Sequence, residues 1–310
     1  MPPKKRPSSR DLSRLKVLAA GDEQPFMAYI SELLASGDPL AREAALEALV
    51  DRPIPAIRPE LLALYGEVDA DGEKRDPGAH LRTLITKILL GFADLRDASI
   101  GMRASDTYET SMGVDGTANL RAFGLRLIAA IDRDLFPYVA AEHVNDASTF
   151  TPEPANTALQ LLAAMGHELA VYQWLVTNER HEPALVEAAV ELLANAPPAL
   201  MSRCLTTLTR DALLAVDEPL LTKLAETIVE RELHDAYPSL ASIMSAKISN
   251  ELYSYLALLL AATNRPPLLA IIEQQLETDI RRRPSILDAL RVRTTPEQAA
   301  ILKRWADPDD

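Results

Sequence analysis

Apolar residues recur at i, i+3, i+4, i+7, i+8 and i+11 in two stretches of this chain. From Asp76, DPGAHLRTLITKILLGF puts Leu81, Leu84, Ile85, Ile88, Leu89 and Phe92 on that spacing. From Asp115, DGTANLRAFGLRLIAAI puts Leu120, Phe123, Gly124, Leu127, Ile128 and Ile131 on it. This is the period of an amphipathic helix with one stripe turned toward a core. Asp76/Asp115, Ala79/Ala118, Leu81/Leu120 and Arg82/Arg121 also coincide, at an offset of 39 residues. The stretches are two copies of one helical unit, with Gly124 the one mismatch on the stripe.

Further copies begin on a polar residue before proline: GDPLAREAALEALV from Gly37, HEPALVEAAVELLANAP from His181 and DEPLLTKLAETIVERE from Asp217. The polar side chain caps orphan N–H groups, and proline at the first helical position loses no bond, because its missing donor would be unpaired anyway. Starts near Pro39, Pro77, Thr117, Pro154, Pro183 and Pro219 are spaced by 38, 40, 37, 29 and 36 residues, room for two helices and two turns. A second helix is legible in each unit: IRPELLALYGE, RDLFPYVAAEHV, HELAVYQWLVTNE, PALMSRCLTTLTR and HDAYPSLASIMSAK. A lone helix pair leaves an apolar face uncovered, which neighbours bury on stacking. The expected fold is therefore all-α, a solenoid of about eight stacked antiparallel helix pairs, with residues 1–10 a disordered basic tail and 11–310 one domain.

Composition agrees. At 48% hydrophobic and 25% charged residues, the 310-residue chain reads as soluble and folded. Only 11 glycines and 5% aromatics, with Ala, Leu and Glu in excess of Val, Ile and Thr, favour helix, and no hairpin signal stands out. The single Cys204 suits a reducing compartment. No apolar run approaches the roughly 20 residues that span a bilayer, and no apolar segment follows the basic N-terminus as in a secretory signal. A cytoplasmic protein is expected.

Asp-Pro helix starts, periods in the high thirties, and Arg42, Arg82 and Arg121 a few residues after Asp38, Asp76 and Asp115 resemble HEAT repeats, particularly the bacterial HEAT-like kind. The resemblance implies that these Asp and Arg residues form a structural ladder between stacked units. It is best from about Gly37 to Asp146; beyond that the period persists while the Asp and Arg signature fades, so armadillo and tetratricopeptide readings stay open. Some HEAT-like proteins are bilin lyases or glycosylases acting on alkylated DNA bases, which makes an enzyme or enzyme accessory the alternative to a scaffold.

Catalytic vocabulary is missing: no phosphate loop, dinucleotide fingerprint, nucleophile elbow or Cys-x-x-Cys occurs. His143 with Glu142 and Asp146, and His167 with Glu168, are poor chelators if their side chains point about 100° apart on a helix. Cys204 reads as a small packed residue. No catalytic residue, metal or cofactor is expected.

Surface for recognition remains. Leu169, Val171, Tyr172, Leu175 and Val176 share one arc of their helix, with Trp174 off its edge, either exposed as an anchor or buried by the next unit of the stack. Trp174 is the expected partner anchor, with Tyr65, Tyr138 and Tyr237 on other second helices. The stretch ASDTYETSMGVDGT from Ala104 is longer than a turn and reads either as a partner loop or as a cap in which Asp115 or Thr117 starts the next helix. A net charge of −13 disfavours nucleic acid and suits a protein with a basic segment. Basic charge collects only at the ends: Lys4, Lys5, Arg6, Arg10, Arg14 and Lys16, then seven residues from Arg281 to Arg304, where Arg281, Arg282 and Arg283 form a candidate anion site. DLSRLKVLAA, FMAYISELLAS and PEQAAILKRWADPDD are polar enough to cap the ends of a stack, so a monomer is expected. The expected function is a non-catalytic binding scaffold for another protein.

Overall fold

The computed structural model describes residues 9–111, 113–148, 151–177, 183–193 and 196–305. Most of them are helical, and none of the helices among them is long and apolar enough to cross a membrane. Where the sequence suggests one stack from 11 to 310, the chain divides between Ala170 and Val171 into two compact units. Residues 1–8 of the expected tail lie outside the described residues, and the first helix begins inside that tail, at Ser9.

The first unit contains α1 (Ser9–Ala19), α2 (Glu23–Ala35), α3 (Pro39–Asp51), α4 (Arg58–Asp69), the single turn α5 (Gly72–Arg75), α6 (His80–Leu90) and α7 (Ala98–Ser105). A hairpin of β1 (Thr110–Ser111) and β2 (Val114–Asp115) follows, then α8 (Ala118–Ile131) and α9 (Phe136–His143). A second hairpin, β3 (Ala147–Ser148) with β4 (Thr151–Pro154), leads into α10 (Ala155–Ala164). These two hairpins are a correction to the strand-free reading; at two to four residues each, their strands are too short for an alternation signal. The helices pack in series: α3 on α6, α6 on α8 and α8 on α10, with α2, α4, α7 and α9 against them. One apolar core runs from Leu15 through Phe26, Leu46, Leu61 and Ile85 to Leu127.

Asp38 caps α3 as proline spacing predicts, accepting from Leu40 N with Pro39 at the first position. At Asp76-Pro77 the prediction shifts. Gly78 and Ala79 take positive φ of 80° and 56°, and α6 starts only at His80. The Asp76 carboxylate still reaches the helix, accepting from Leu81 N and Arg82 N. Gly124, the mismatch on the stripe, lies where α8 meets α7: a Cβ there would come 2.6 Å from Ser105 N and 2.8 Å from Gly101 O. Glycine permits a backbone approach that any side chain would block.

α11 (Glu168–Thr177) crosses the division between the units. Beyond it lie α12 (Pro183–Leu192), α13 (Pro198–Ala215), α14 (Glu218–Glu230), α15 (Tyr237–Ser245), α16 (Asn250–Thr263), α17 (Pro266–Thr278), α18 (Arg283–Val292) and α19 (Pro296–Trp305). They form two series, α12–α14–α16–α18 and α13–α15–α17–α19, and from α13 onward each member also touches a neighbour in the other series. Leu221, Leu224, Ile243, Tyr253, Leu260, Ile272 and Leu290 fill the space between them.

Arginines in both units reach the C-terminal carbonyls of other helices, groups that have no partner within their own helix. Arg52 donates to Ala19 O and Gly21 O, Arg231 to Leu193 O, Arg265 to Val229 O, and Arg282 to Ala246 O and Ile248 O. A cation is also favoured there by the helix dipole. These bonds span 31 to 38 residues of chain, the same distance as the repeat period read from the sequence.

Candidate partner-binding site

The stretch from Ala104 becomes a braced platform. After α7, Glu109 N donates to Thr117 Oγ1 at 3.2 Å and Gly116 N to Glu109 O at 3.1 Å, closing the hairpin. Thr117 precedes α8 but makes no side-chain cap; Asp115 Oδ1 instead accepts from Thr117 N and Oγ1 at 2.8 and 2.9 Å. So the loop does form a start for α8, though not by the expected capping bond.

Two arginines with no solvent exposure hold the platform from beneath. Arg82 donates through Nη1 and Nη2 to both oxygens of Glu109 at 2.6 Å, through Nε to Asp76 at 3.1 Å, and to Asp69 at 3.2 Å. Arg121 donates to Asp146 at 2.9 Å, to Thr107 O at 3.1 Å, to Thr117 Oγ1 at 2.8 Å and to Asp115. Each guanidinium thus ties its own helix start to a residue 25 or 27 positions further on. Two-pronged carboxylate bonds of this kind fix geometry as well as charge. Asp38 and Arg42 differ: Asp38 only caps, while Arg42 pairs with Glu67 and donates to Leu34 O.

Tyr108 lies on this base. Its ring covers the Arg121 guanidinium at 4.0 Å and its hydroxyl donates to Asp146 at 2.7 Å, yet the residue stays 58% exposed. Partial burial, then the bond to Asp146, push its phenol up to about 12, so it stays neutral. Burial acts to raise Asp146 also, but hydrogen bonds from His143 and Tyr108 and the charge of Arg121 outweigh it and hold the carboxyl below its usual range. His143 and Asp146, treated above as poorly placed for a common ion, stand three apart and do share a face, with Nδ1 3.2 Å from Oδ2.

Beside Tyr108 opens a cleft of about 730 Å³ lined by Asp69, Ser99, Met102, Arg103, Asp106, Thr107, Tyr108 and Glu109. Asp69 pairs with both Arg82 and Arg103. The lining carboxylates Asp69, Asp106 and Glu109 outnumber Arg103 and the underlying Arg82 by one, so the cleft is left with a slight excess of negative charge beside an exposed aromatic wall.

The anchors read from the sequence are distributed differently. Trp174 is only 6% exposed, because the buried arc of α11 is Val171, Trp174 and Leu175, while Leu169 and Val176 face solvent. The helix is apolar around most of its circumference, so periodicity left the buried side open and the largest side chain took it. Tyr65 and Tyr237 are buried as well, with Tyr237 edge-on to His234 at 5.1 Å. Of the four, Tyr138 alone is exposed, at 75%, in a separate concavity with Arg133, Asp134 and His167.

The basic triplet is also largely committed. Besides its two carbonyls, Arg282 covers the Tyr253 ring at 4.6 Å; Arg283 donates to Leu276 O and lies over Trp305 at 5.2 Å; the Arg281 side chain is exposed. Cys204 is buried, and burial pushes its thiol up to about 11, away from nucleophilic thiolate. Sequence reasoning quoted Tyr108 and Glu109 within the loop without singling them out; their signal was position, one helix after a buried arginine. No family model, no curated protein and no solved structure matches this chain.

Proposed function

We propose that this chain is a HEAT-like α-solenoid of about eight helix pairs acting as a non-catalytic scaffold, and that its first unit binds a basic segment of a partner protein in the cleft beside Tyr108. Support for a solenoid comes from side-chain bonds that reach about one repeat along the chain and from helices that pack in two parallel series within the second unit. The function rests on one observation: carboxylates outnumber arginines around an exposed tyrosine that lies on the buried Arg121, next to a Glu109 bonded to the buried Arg82. A partner lysine or arginine gains the charge of Asp106 and Glu109 and the face of Tyr108, and the platform loses little freedom on binding because it is already braced. Phosphate backbones meet the wrong sign of charge there.

The test is fluorescence anisotropy with a labelled Lys/Arg-rich peptide and a Glu-rich peptide of equal length. The basic peptide binds, binding weakens as salt is added, and Asp106→Asn lowers affinity several-fold, since exposed charges are screened. Equal binding of both peptides, or an Asp106→Asn protein that binds like the parent, overturns the assignment of the cleft.

A further inference from the structure

A second convergence of chemistry lies on the other side of α6. Glu43 and Glu47 stand one turn apart on α3, so they share a face. His80 is the first residue of α6, which packs on α3. Nε2 of His80 is 3.0 Å from Oε1 of Glu43, and one donor atom from each of the three residues lies within 4.8 Å of the others.

An ion pair alone leaves this group unbalanced. A neutral imidazole offers Nε2 one proton, which serves Glu43, while Glu47 adds a like charge at i+4, an arrangement that destabilises a helix. Among the described residues neither glutamate is paired with a lysine or arginine. A divalent cation removes the conflict. Around zinc, bond lengths near 2.1 Å put any two tetrahedral ligand atoms about 3.4 Å apart. The gaps here, none above 4.8 Å, must close by up to about 1.4 Å for such geometry, which rotations within long side chains supply.

We propose that Glu43, Glu47 and His80 bind one divalent transition-metal ion of the zinc class, clamping α3 to α6. Imidazole selects such borderline ions over magnesium or calcium, which prefer all-oxygen sites. Three protein donors leave a coordination position for water. The site is independent of the cleft and of any partner.

The experiment uses the full chain dialysed against micromolar zinc chloride, with bound metal counted by mass spectrometry and melting followed with zinc or with EDTA. The parent protein carries one more zinc per chain than His80→Ala and melts higher in zinc than in EDTA, a shift that His80→Ala lacks. Glu47→Gln keeps the His80–Glu43 contact yet weakens zinc binding by about tenfold or more, because it removes an anionic ligand. Equal zinc content in the parent and His80→Ala overturns the proposal. So does a zinc affinity that Glu47→Gln leaves unchanged, which would mark the cluster as an ion pair only.

Discussion

Arg82 in the first unit is closed off from solvent and paired with three carboxylates, Asp69, Asp76 and Glu109. Arg282 in the second unit is partly exposed and donates to the backbone oxygens of Ala246 and Ile248. The contrast extends beyond these residues. The first unit adds Arg121 with Asp115 and Asp146, and Arg58 with the fully buried Asp97, whereas Arg231 and Arg265 in the second donate to Leu193 O and Val229 O, and the carboxylates that Arg265 and Arg282 also pair with, Glu232 and Asp279, are open to solvent. Both arrangements satisfy groups that would otherwise be orphaned between helices. They differ in what happens when the arginine is removed. Carbonyls at an accessible helix end turn to water, but buried carboxylates are left charged and close together. The first unit therefore carries points of strict specification at its buried carboxylates.

The sharpest way to break this comparison is Arg82→Met. With the guanidinium gone, Asp76 and Glu109 lose their shared counter-charge, and breaking a buried pair costs about 3–5 kcal/mol. Urea unfolding of the full chain measures it. A loss below about 1 kcal/mol, the range of surface pairs, would mean that the first unit gains no more from its buried charges than the second does from carbonyl contacts.

Acid sharpens the same contrast. Burial alone would raise Asp115, but bonds from Arg121 and Thr117 prevail and its folded-state value lies below the ordinary 3.8; Asp146 is likewise depressed. A depressed carboxyl contributes stability that is complete above its unfolded value and is lost as pH falls through the folded one. Stability of the first unit should thus fall below about pH 4. In the second unit the depressed groups are the half-buried Glu218, held down by bonds from Ser249, and the exposed Glu297, both more open to solvent screening than Asp115 and Asp146, which share the buried Arg121. Hydrogen exchange on lowering pH should accelerate in α8 before α14; the reverse order would contradict the assignment of buried charge to the first unit.

Arg282→Met tests the other half and should cost about 1.5–3 kcal/mol, the scale of bonds made by a charged donor, including the lost contact with Tyr253. A cost equal to that of Arg82→Met would erase the distinction.

The sequence reading recovered what periodicity and capping control. The copies at Asp76 and Asp115 mark α6 and α8, and their Leu81, Ile85, Ile88, Leu120, Leu127 and Ile128 are all buried. Asp38 and Asp217 cap helices that carry proline in their first turn. After Asp146 the arginines Arg231, Arg265 and Arg282 reach carbonyls of other helices, partners that no residue type announces. Tertiary choice hid the rest. Nothing local says that α11 buries Trp174 rather than Leu169, nor that Glu109 crosses back to Arg82 across 27 residues. His80 gave no signal because its partners Glu43 and Glu47 lie one repeat earlier, on α3.

The smallest predicted effect separates the platform's stability from its use. Tyr108→Phe deletes the bond to Asp146 but keeps the ring over Arg121, and a partly exposed hydrogen bond of this kind contributes about 0.5–1.5 kcal/mol. Tyr108→Leu removes both the bond and the aromatic face. If the exposed ring receives a partner cation, Tyr108→Phe should melt slightly earlier while binding the basic peptide as the parent does, and Tyr108→Leu should bind several-fold more weakly. If both variants lose stability and neither loses affinity, Tyr108 belongs wholly to the bracing of the first unit, and the cleft would have to attract cations through Asp106 and Glu109 alone.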